Sequence, residues 1–201
     1  MSFATFADLK TNVRSAFNDR SDIPDFVYTL TTAELNSRLR VMQMESTSSL
    51  AVSVESTALP ADFIEARHAY LDKDPRVRLD LADEFSKTTD FRTSGEPKTY
   101  TIVDGFLLLN PVPDGSYTVL LRYIAKLADF SADADTNDVL VTFPSLYFYG
   151  ALWQAAMWEG DGEAAAKYEQ MFDAHLSRVE TRERQARFSA GPLRSRADSA
   201  P

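Results

Sequence analysis

Four segments of the chain carry apolar residues at helical spacing, two near its start and two near its end. The first two helices are predicted over residues 5–17 and 22–41, with Thr5 and Asp22 as their N-terminal caps. Their apolar stripes are formed by Phe6, Leu9, Val13, Phe17, Ile23, Phe26, Val27 and Leu30.

The longest apolar stretch predicts two further helices, over residues 143–159 and 163–188. The first of them is apolar nearly all round, which is typical of a buried helix. Gly160 is expected to close it in the left-handed conformation, and Asp161 to cap the next helix. We expect Trp153 to be a core residue whose replacement by alanine costs about 3–5 kcal/mol.

Between the helical segments, over residues 44–127, the hydrophobic period changes to the alternation that is typical of strands. The strongest hairpin signal joins residues 99–103 to residues 106–109 through Asp104 and Gly105, because Asp-Gly favours the positive φ angles of a tight primed turn. Further short strands are predicted at residues 50–54, 69–71, 77–81 and 117–123.

These periods predict an α+β fold that is mainly a helical bundle of about four helices, with an inserted antiparallel β-rich region and an extended C-terminal arm. The predicted divisions are residues 1–43 for the N-terminal helices of the bundle, 44–127 for the inserted region, 128–188 for an acidic loop and the C-terminal core helices, and 189–201 for a flexible arm.

Composition narrows the functional classes. The chain of 201 residues has no cysteine, which excludes disulfides, thiolate zinc sites and cysteine nucleophiles. No apolar run approaches the roughly 20 residues that cross a bilayer, so we expect a soluble protein made inside a cell, with no membrane contact. The net charge of -9 argues against general affinity for nucleic-acid phosphate. The charge is unevenly distributed along the chain, because residues 177–201 contain six arginines and only three acidic residues.

No catalytic motif is present in the sequence. The two histidines, His68 and His175, lie in different regions, and no nucleophile elbow, phosphate loop or dinucleotide fingerprint occurs. Pairs of acidic residues are plentiful, but they carry little information without a pocket. We therefore predict no catalytic residue and no cofactor.

One acidic segment is superficially similar to a calcium loop. Asp133, Asp135 and Asn137 match the first three oxygen ligands of an EF-hand, but Asp138 stands where that loop needs glycine and Pro144 where it needs glutamate. The sequence therefore favours an ordinary loop, and no metal site is predicted.

Several short segments occur in an order that resembles the head-to-tail adaptor proteins of tailed bacteriophages and gene transfer agents. The resemblance covers most of the chain and ends in an Arg-x-x-x-Arg run from Arg178 to Arg182, followed by the closing segment at residues 189–196. The segments are AELNSRLR at 33–40, ALPADF at 58–63, PKTYTI at 97–102, PVPDGSY at 111–117 and PSLYFYGAL at 144–152.

This resemblance implies a virion structural protein rather than an enzyme. Such an adaptor is a ring, usually a dodecamer, at the head–tail interface of a virion assembled in the host cytoplasm. Its implied partners are the portal protein, a tail or nozzle protein, copies of itself, and DNA that passes through a central channel without tight binding. The alternatives are another neck protein, such as a stopper or tail terminator, or a small hydrolase that uses acidic residues.

The C-terminal arm is the predicted portal-binding element. The apolar stripe of the last helix fades after Val179, and a tail of this composition is expected to order on a partner. The guanidinium groups of its arginines can bind carboxylates on a neighbouring protein, and the side chains of Phe188, Pro192 and Leu193 can fill apolar clefts. The predicted portal-binding residues are Arg178, Arg182, Arg184, Arg187, Phe188, Pro192, Leu193, Arg194 and Arg196.

Overall fold

The computed structural model describes residues 3–17, 19–82 and 93–188. The described residues fall into two compact units. The helical unit is formed by the residues up to Met42 together with those from Ala128 onward, and the sheet unit is formed by Gln43–Leu127. Among the described residues, no helix combines the length and the apolar character needed to cross a membrane.

The helical unit is organised around one central helix. Its helices are α1 (Phe6–Ala16), α2 (Phe26–Arg38), α3 (Asp138–Thr142), α4 (Pro144–Glu159) and α5 (Gly162–Phe188). Helix α4 contacts each of the other four. The core between them is apolar and includes the fully buried residues Leu9, Val13, Val27, Leu35, Leu146, Tyr147, Ala151 and Phe172.

Most of the predicted helix ends are confirmed. The Thr5 hydroxyl accepts a hydrogen bond from the Asp8 amide at 3.3 Å, and the Asp161 carboxylate accepts one from the Ala164 amide at 3.0 Å. Gly160 adopts the left-handed conformation at φ 81° and ends α4. The cap predicted at Asp22 is wrong, because α2 begins at Phe26 and the Asp22 carboxylate instead accepts from the Arg20 guanidinium.

Three helices meet at Gly150, in the middle of α4. A Cβ atom at this position would lie 2.6 Å from Cγ2 of Thr31 in α2 and 3.2 Å from Cε2 of Phe172 in α5. Because carbon atoms normally pack about 3.5–4.0 Å apart, only glycine leaves enough room for this approach.

The sheet unit contains the nine strands of the described residues. The strands are β1 (Glu45–Val52), β2 (Ser56–Ala58), β3 (Phe63–Leu71), β4 (Val77–Leu81), β5 (Ser94–Gly95), β6 (Thr99–Val103), β7 (Phe106–Asn110), β8 (Val112–Pro113) and β9 (Tyr117–Ala125), and a 3-10 helix (Met42–Met44) precedes them. Seven strands form one sheet in the order β1-β9-β3-β4-β6-β7-β2, while β5 and β8 form a separate parallel pair. Neighbours in the large sheet are antiparallel except β4 and β6, which are parallel.

The large sheet buries its own apolar core. Ten buried residues form it: Val52, Ala69, Leu71, Leu79, Tyr100, Leu107, Leu109, Val119, Leu121 and Tyr123. The hairpin predicted at Asp104 and Gly105 is confirmed, because both residues have positive φ, at 50° and 81°, and Val103 pairs with Phe106 across the turn.

The predicted fold class, a mainly helical bundle with an inserted antiparallel β-rich region, is wrong. The structure is built mainly on a large seven-stranded sheet, which is partly parallel, with five helices among the described residues. The extent of the sheet was not evident in the sequence because two strands, β1 and β3, lack a regular alternation of apolar and polar residues. In β1 the first five residues, Glu45 to Ser49, are polar, and β3 has two register irregularities that put its apolar residues out of a period of two.

Candidate functional site

The predicted portal-binding residues begin on the last turns of α5. Arg178, Arg182 and Arg184 are exposed there, and Arg187 and Phe188 are the last two residues of the helix. The remaining four, Pro192, Leu193, Arg194 and Arg196, lie outside the described residues.

The helix brings only some of these arginines together. Arg178 and Arg182 are four residues apart and therefore share one face of α5. Arg184 follows Arg182 by two residues, which turns its side chain by roughly 200° to the other side of the helix. Of these three arginines, Arg178 and Arg182 thus form a pair on one face of α5, and Arg184 lies apart from them.

Aromatic rings lie beside the arginine pair, and the sequence did not identify them as part of a site. The Arg182 guanidinium lies over the ring of Phe143, with 5.9 Å between its carbon and the ring centroid. One turn before Arg178, the imidazole of His175 stacks on the ring of Tyr149, with centroids 4.9 Å apart and planes 20° apart. Tyr149 lies in α4 and Phe143 directly precedes that helix, so only the pairing of α4 with α5 places the rings there.

The exposed side chains of Arg178, Arg182 and Arg184 have no anionic partner in the part of the chain that the structure describes. No carboxylate among the described residues forms an ion pair with Arg178, Arg182 or Arg184. Elsewhere in the helical unit three basic side chains are paired: Arg20 with Asp22 and Glu159, Arg38 with Glu34 and Asp173, and Lys10 with Asp133. Partial burial lowers the pKa of His175 below its usual 6.5, and the charge of Arg178 lowers this pKa further.

A buried carboxylate holds the end of α5 in place. Glu183 is only 8% exposed, and it accepts a hydrogen bond from the Met42 amide at 3.1 Å. Glu183 lies between Arg182 and Arg184 in the sequence, so this bond fixes the turn from which both arginines project. The two charged side chains are therefore presented on an anchored turn of the helix.

The acidic loop before α3 forms a turn that is held by its own carboxylates. The Asp135 carboxylate accepts hydrogen bonds from the amides of Ser131 and Ala132, at 2.7 and 2.8 Å, and these bonds lower its pKa. Asp133 pairs with Lys10. Both carboxylates are thus committed to contacts within the protein, and no group of three metal-ligating side chains occurs in the part of the chain that the structure describes.

The sheet unit carries an open groove of about 730 Å³ between β3, β4 and β6. Its described lining consists of apolar side chains, the hydroxyl of Thr101 and one carboxylate, that of Glu65. The Thr101 hydroxyl already donates to the carbonyl of Ala82. The groove therefore contains none of the predicted portal-binding residues.

A protein-family model described as SU10 adaptor protein matches residues 4–196, which is nearly the whole chain. No curated protein is similar enough to count as a match. The family match confirms the resemblance to phage head-to-tail adaptors that the short segments of the sequence indicated.

Proposed function

The chain belongs to the SU10 adaptor protein family, and on this basis we propose that it is a head-to-tail adaptor that forms a ring beneath the portal and links the portal to the tail. As a member of a phage adaptor family it is a virion component that interacts with other phage head and tail proteins. The proposed role is structural rather than enzymatic, and the proposed ring is a dodecamer with a central channel for DNA.

We propose that the end of α5 and the arm beyond it bind the portal. The observation that supports this role is that Arg178, Arg182 and Arg184 are exposed and pair with no described carboxylate, in a chain of net charge -9. Planar guanidinium groups bind carboxylates through two parallel hydrogen bonds, so an acidic surface of the portal is the complementary partner. The other proposed anchors are Arg187, Phe188, Pro192, Leu193, Arg194 and Arg196.

Deleting residues 189–201 tests the role of the arm. The truncated and full-length proteins are compared for binding to the purified portal, at low and at high salt. We expect the deletion to weaken binding, and added salt to weaken binding of the full-length protein more, because the arm contributes two arginines. Equal affinity of the two proteins would show that the arm is not an anchor.

Imaging tests the ring. Negative-stain microscopy of the protein mixed with its portal should show a closed ring with twelve-fold symmetry against the portal. A complex that holds one or two copies of the protein for each portal ring would contradict the proposed assembly.

A further inference from the structure

Five side chains lie close to one another where α4 pairs with α5. This group, which we call the aromatic–arginine strip, consists of Phe143, Tyr149, His175, Arg178 and Arg182. Tyr149 stacks on His175, and Arg182 lies over Phe143. His175, Arg178 and Arg182 follow one another at spacings of three and four residues, so they lie on one face of α5 over a length of roughly 10 Å.

The charges of the strip are arranged unfavourably for the protein alone. Arg178 and Arg182 have the same sign and are neighbours on the helix surface, where like charges repel each other. No described carboxylate pairs with Arg178 or Arg182, whereas Arg20 and Arg38 each form ion pairs with carboxylates. A protein with 30 acidic residues thus leaves two adjacent cations unpaired at this place. Such an arrangement is complementary to negative charge on another molecule.

The rings of Tyr149 and His175 add apolar surface beside these cations. Tyr149 and His175 are half-buried, as is Phe148, whose ring lies 5.2 Å from that of Tyr149 in an edge-on arrangement. Tyrosine and arginine are among the residue types that are enriched in the energetic centres of protein interfaces. The ring beneath Arg182 also limits the freedom of its guanidinium before any partner binds, which lowers the entropic cost of binding.

We infer that the aromatic–arginine strip is a folded part of the portal-docking surface, where Arg178 and Arg182 bind carboxylates of the portal and Tyr149 and His175 pack against an apolar side chain next to them. This inference rests on the proposed function. It extends that proposal from the arginines of α5 to the aromatic side chains beside them, and it assigns roles to Phe143, Tyr149 and His175. The strip ends about two helical turns before the arm begins, so one partner surface can contact both.

A charge placed inside the strip tests this inference in the full-length protein. His175→Glu puts a carboxylate next to Arg178, where it competes with the carboxylates of the portal. Gln170→Glu is the matched control, because it adds the same charge to an exposed position on another side of α5. We expect His175→Glu to weaken portal binding by about 10-fold or more, and Gln170→Glu to change it by less than about 2-fold.

A second variant tests the aromatic part without changing charge. Tyr149→Leu keeps apolar bulk on α4 but removes the ring that stacks on His175. Portal affinity should fall by roughly 5-fold, with the far-ultraviolet circular dichroism of the variant unchanged. Hydrogen exchange of the unmodified protein provides a readout that needs no variant: the amides of residues 174–182 should be protected by the portal, and those of residues 163–170 should not.

The outcomes separate the inference from the function on which it rests. The inference is supported if His175→Glu and Tyr149→Leu weaken portal binding, Gln170→Glu does not, and the portal protects the amides of residues 174–182 from exchange. If the unmodified protein binds the portal but His175→Glu binds as tightly as Gln170→Glu, and residues 174–182 exchange as before, the strip is not part of the docking surface. If the unmodified protein does not bind the portal at all, the proposed function and the inference are both wrong.

Discussion

Adding one methyl group at Gly150 tests the tightest helix contact of the helical unit. The new Cβ would lie 2.6 Å from Cγ2 of Thr31, at least about 1 Å closer than carbon atoms normally pack. Thr31 is 1% exposed, and its hydroxyl donates to the carbonyl of Val27 at 2.9 Å. Its methyl group therefore cannot turn away without the loss of a buried hydrogen bond.

The expected magnitude is the difference between two terms. Overpacking a well-packed core costs about 1–3 kcal/mol. Replacing glycine by alanine inside a helix recovers up to about 1 kcal/mol through helix propensity. We expect Gly150→Ala to lower the free energy of unfolding by about 1–2 kcal/mol, measured by urea unfolding. The fluorescence of Trp153 and Trp158, both in α4, reports on this unit. Gly162→Ala is the control, because a Cβ there meets nothing within 4 Å.

A second substitution identifies the cause. Thr31→Ser removes Cγ2 but keeps the hydroxyl, so when it is combined with Gly150→Ala it should recover part of the lost stability. In the unmodified protein the same substitution should instead cost about 1 kcal/mol, because it leaves a small cavity. If the effects of the two substitutions are additive within about 0.5 kcal/mol, the close approach of α2 to α4 is not the cause of the lost stability.

Three further predictions concern Trp153, His175 and DNA. Trp153 is half-buried against Phe172, with ring centroids 5.9 Å apart, so we expect Trp153→Ala to cost about 2 kcal/mol in urea melts, less than for a fully buried tryptophan. Burial and Arg178 lower the pKa of His175 in the folded state, so the unfolded chain binds its proton more readily and stability should fall as the pH drops from about 6.5 toward the folded value. His175→Gln should remove this loss, and an NMR titration that places the pKa of His175 above 6.5 would contradict it. Because the net charge is -9, duplex DNA should bind more weakly than micromolar at physiological salt, and submicromolar affinity in a gel shift would be the contrary result.

Features fixed by a few neighbouring residues were predictable from the sequence. The cap at Thr5, the left-handed turn at Gly160, the cap at Asp161 and the Asp104-Gly105 hairpin all depend on local backbone chemistry, and all are confirmed. Asp22 resembles a cap in the same way. A charged neighbour, Arg20, competes for its carboxylate, so local chemistry alone was insufficient there.

The extent of the sheet was not predictable from alternation. A strand shows a period of two only where one face is buried and its register is unbroken. The register of β3 shifts twice, and the first five residues of β1 are polar, so only parts of both strands were visible in the sequence. The converse error occurs in α4, whose apolar composition predicted burial on all sides. Met157 and Trp158, near its end, are 59% and 41% exposed.

The arginines of the candidate site could be predicted from the sequence, but the side chains that the fold places around them could not. The arginines of α5 stand out in the sequence because the rest of the chain is acidic. Whether such an arginine is paired depends on which carboxylates the fold brings near it, and this is a tertiary property. Arg38 pairs with Asp173 across 135 residues of chain, whereas no described carboxylate pairs with Arg178 or Arg182, and Arg182 lies over the ring of Phe143. This difference between the arginines is created by the fold, so the charge pattern of the sequence alone does not reveal it.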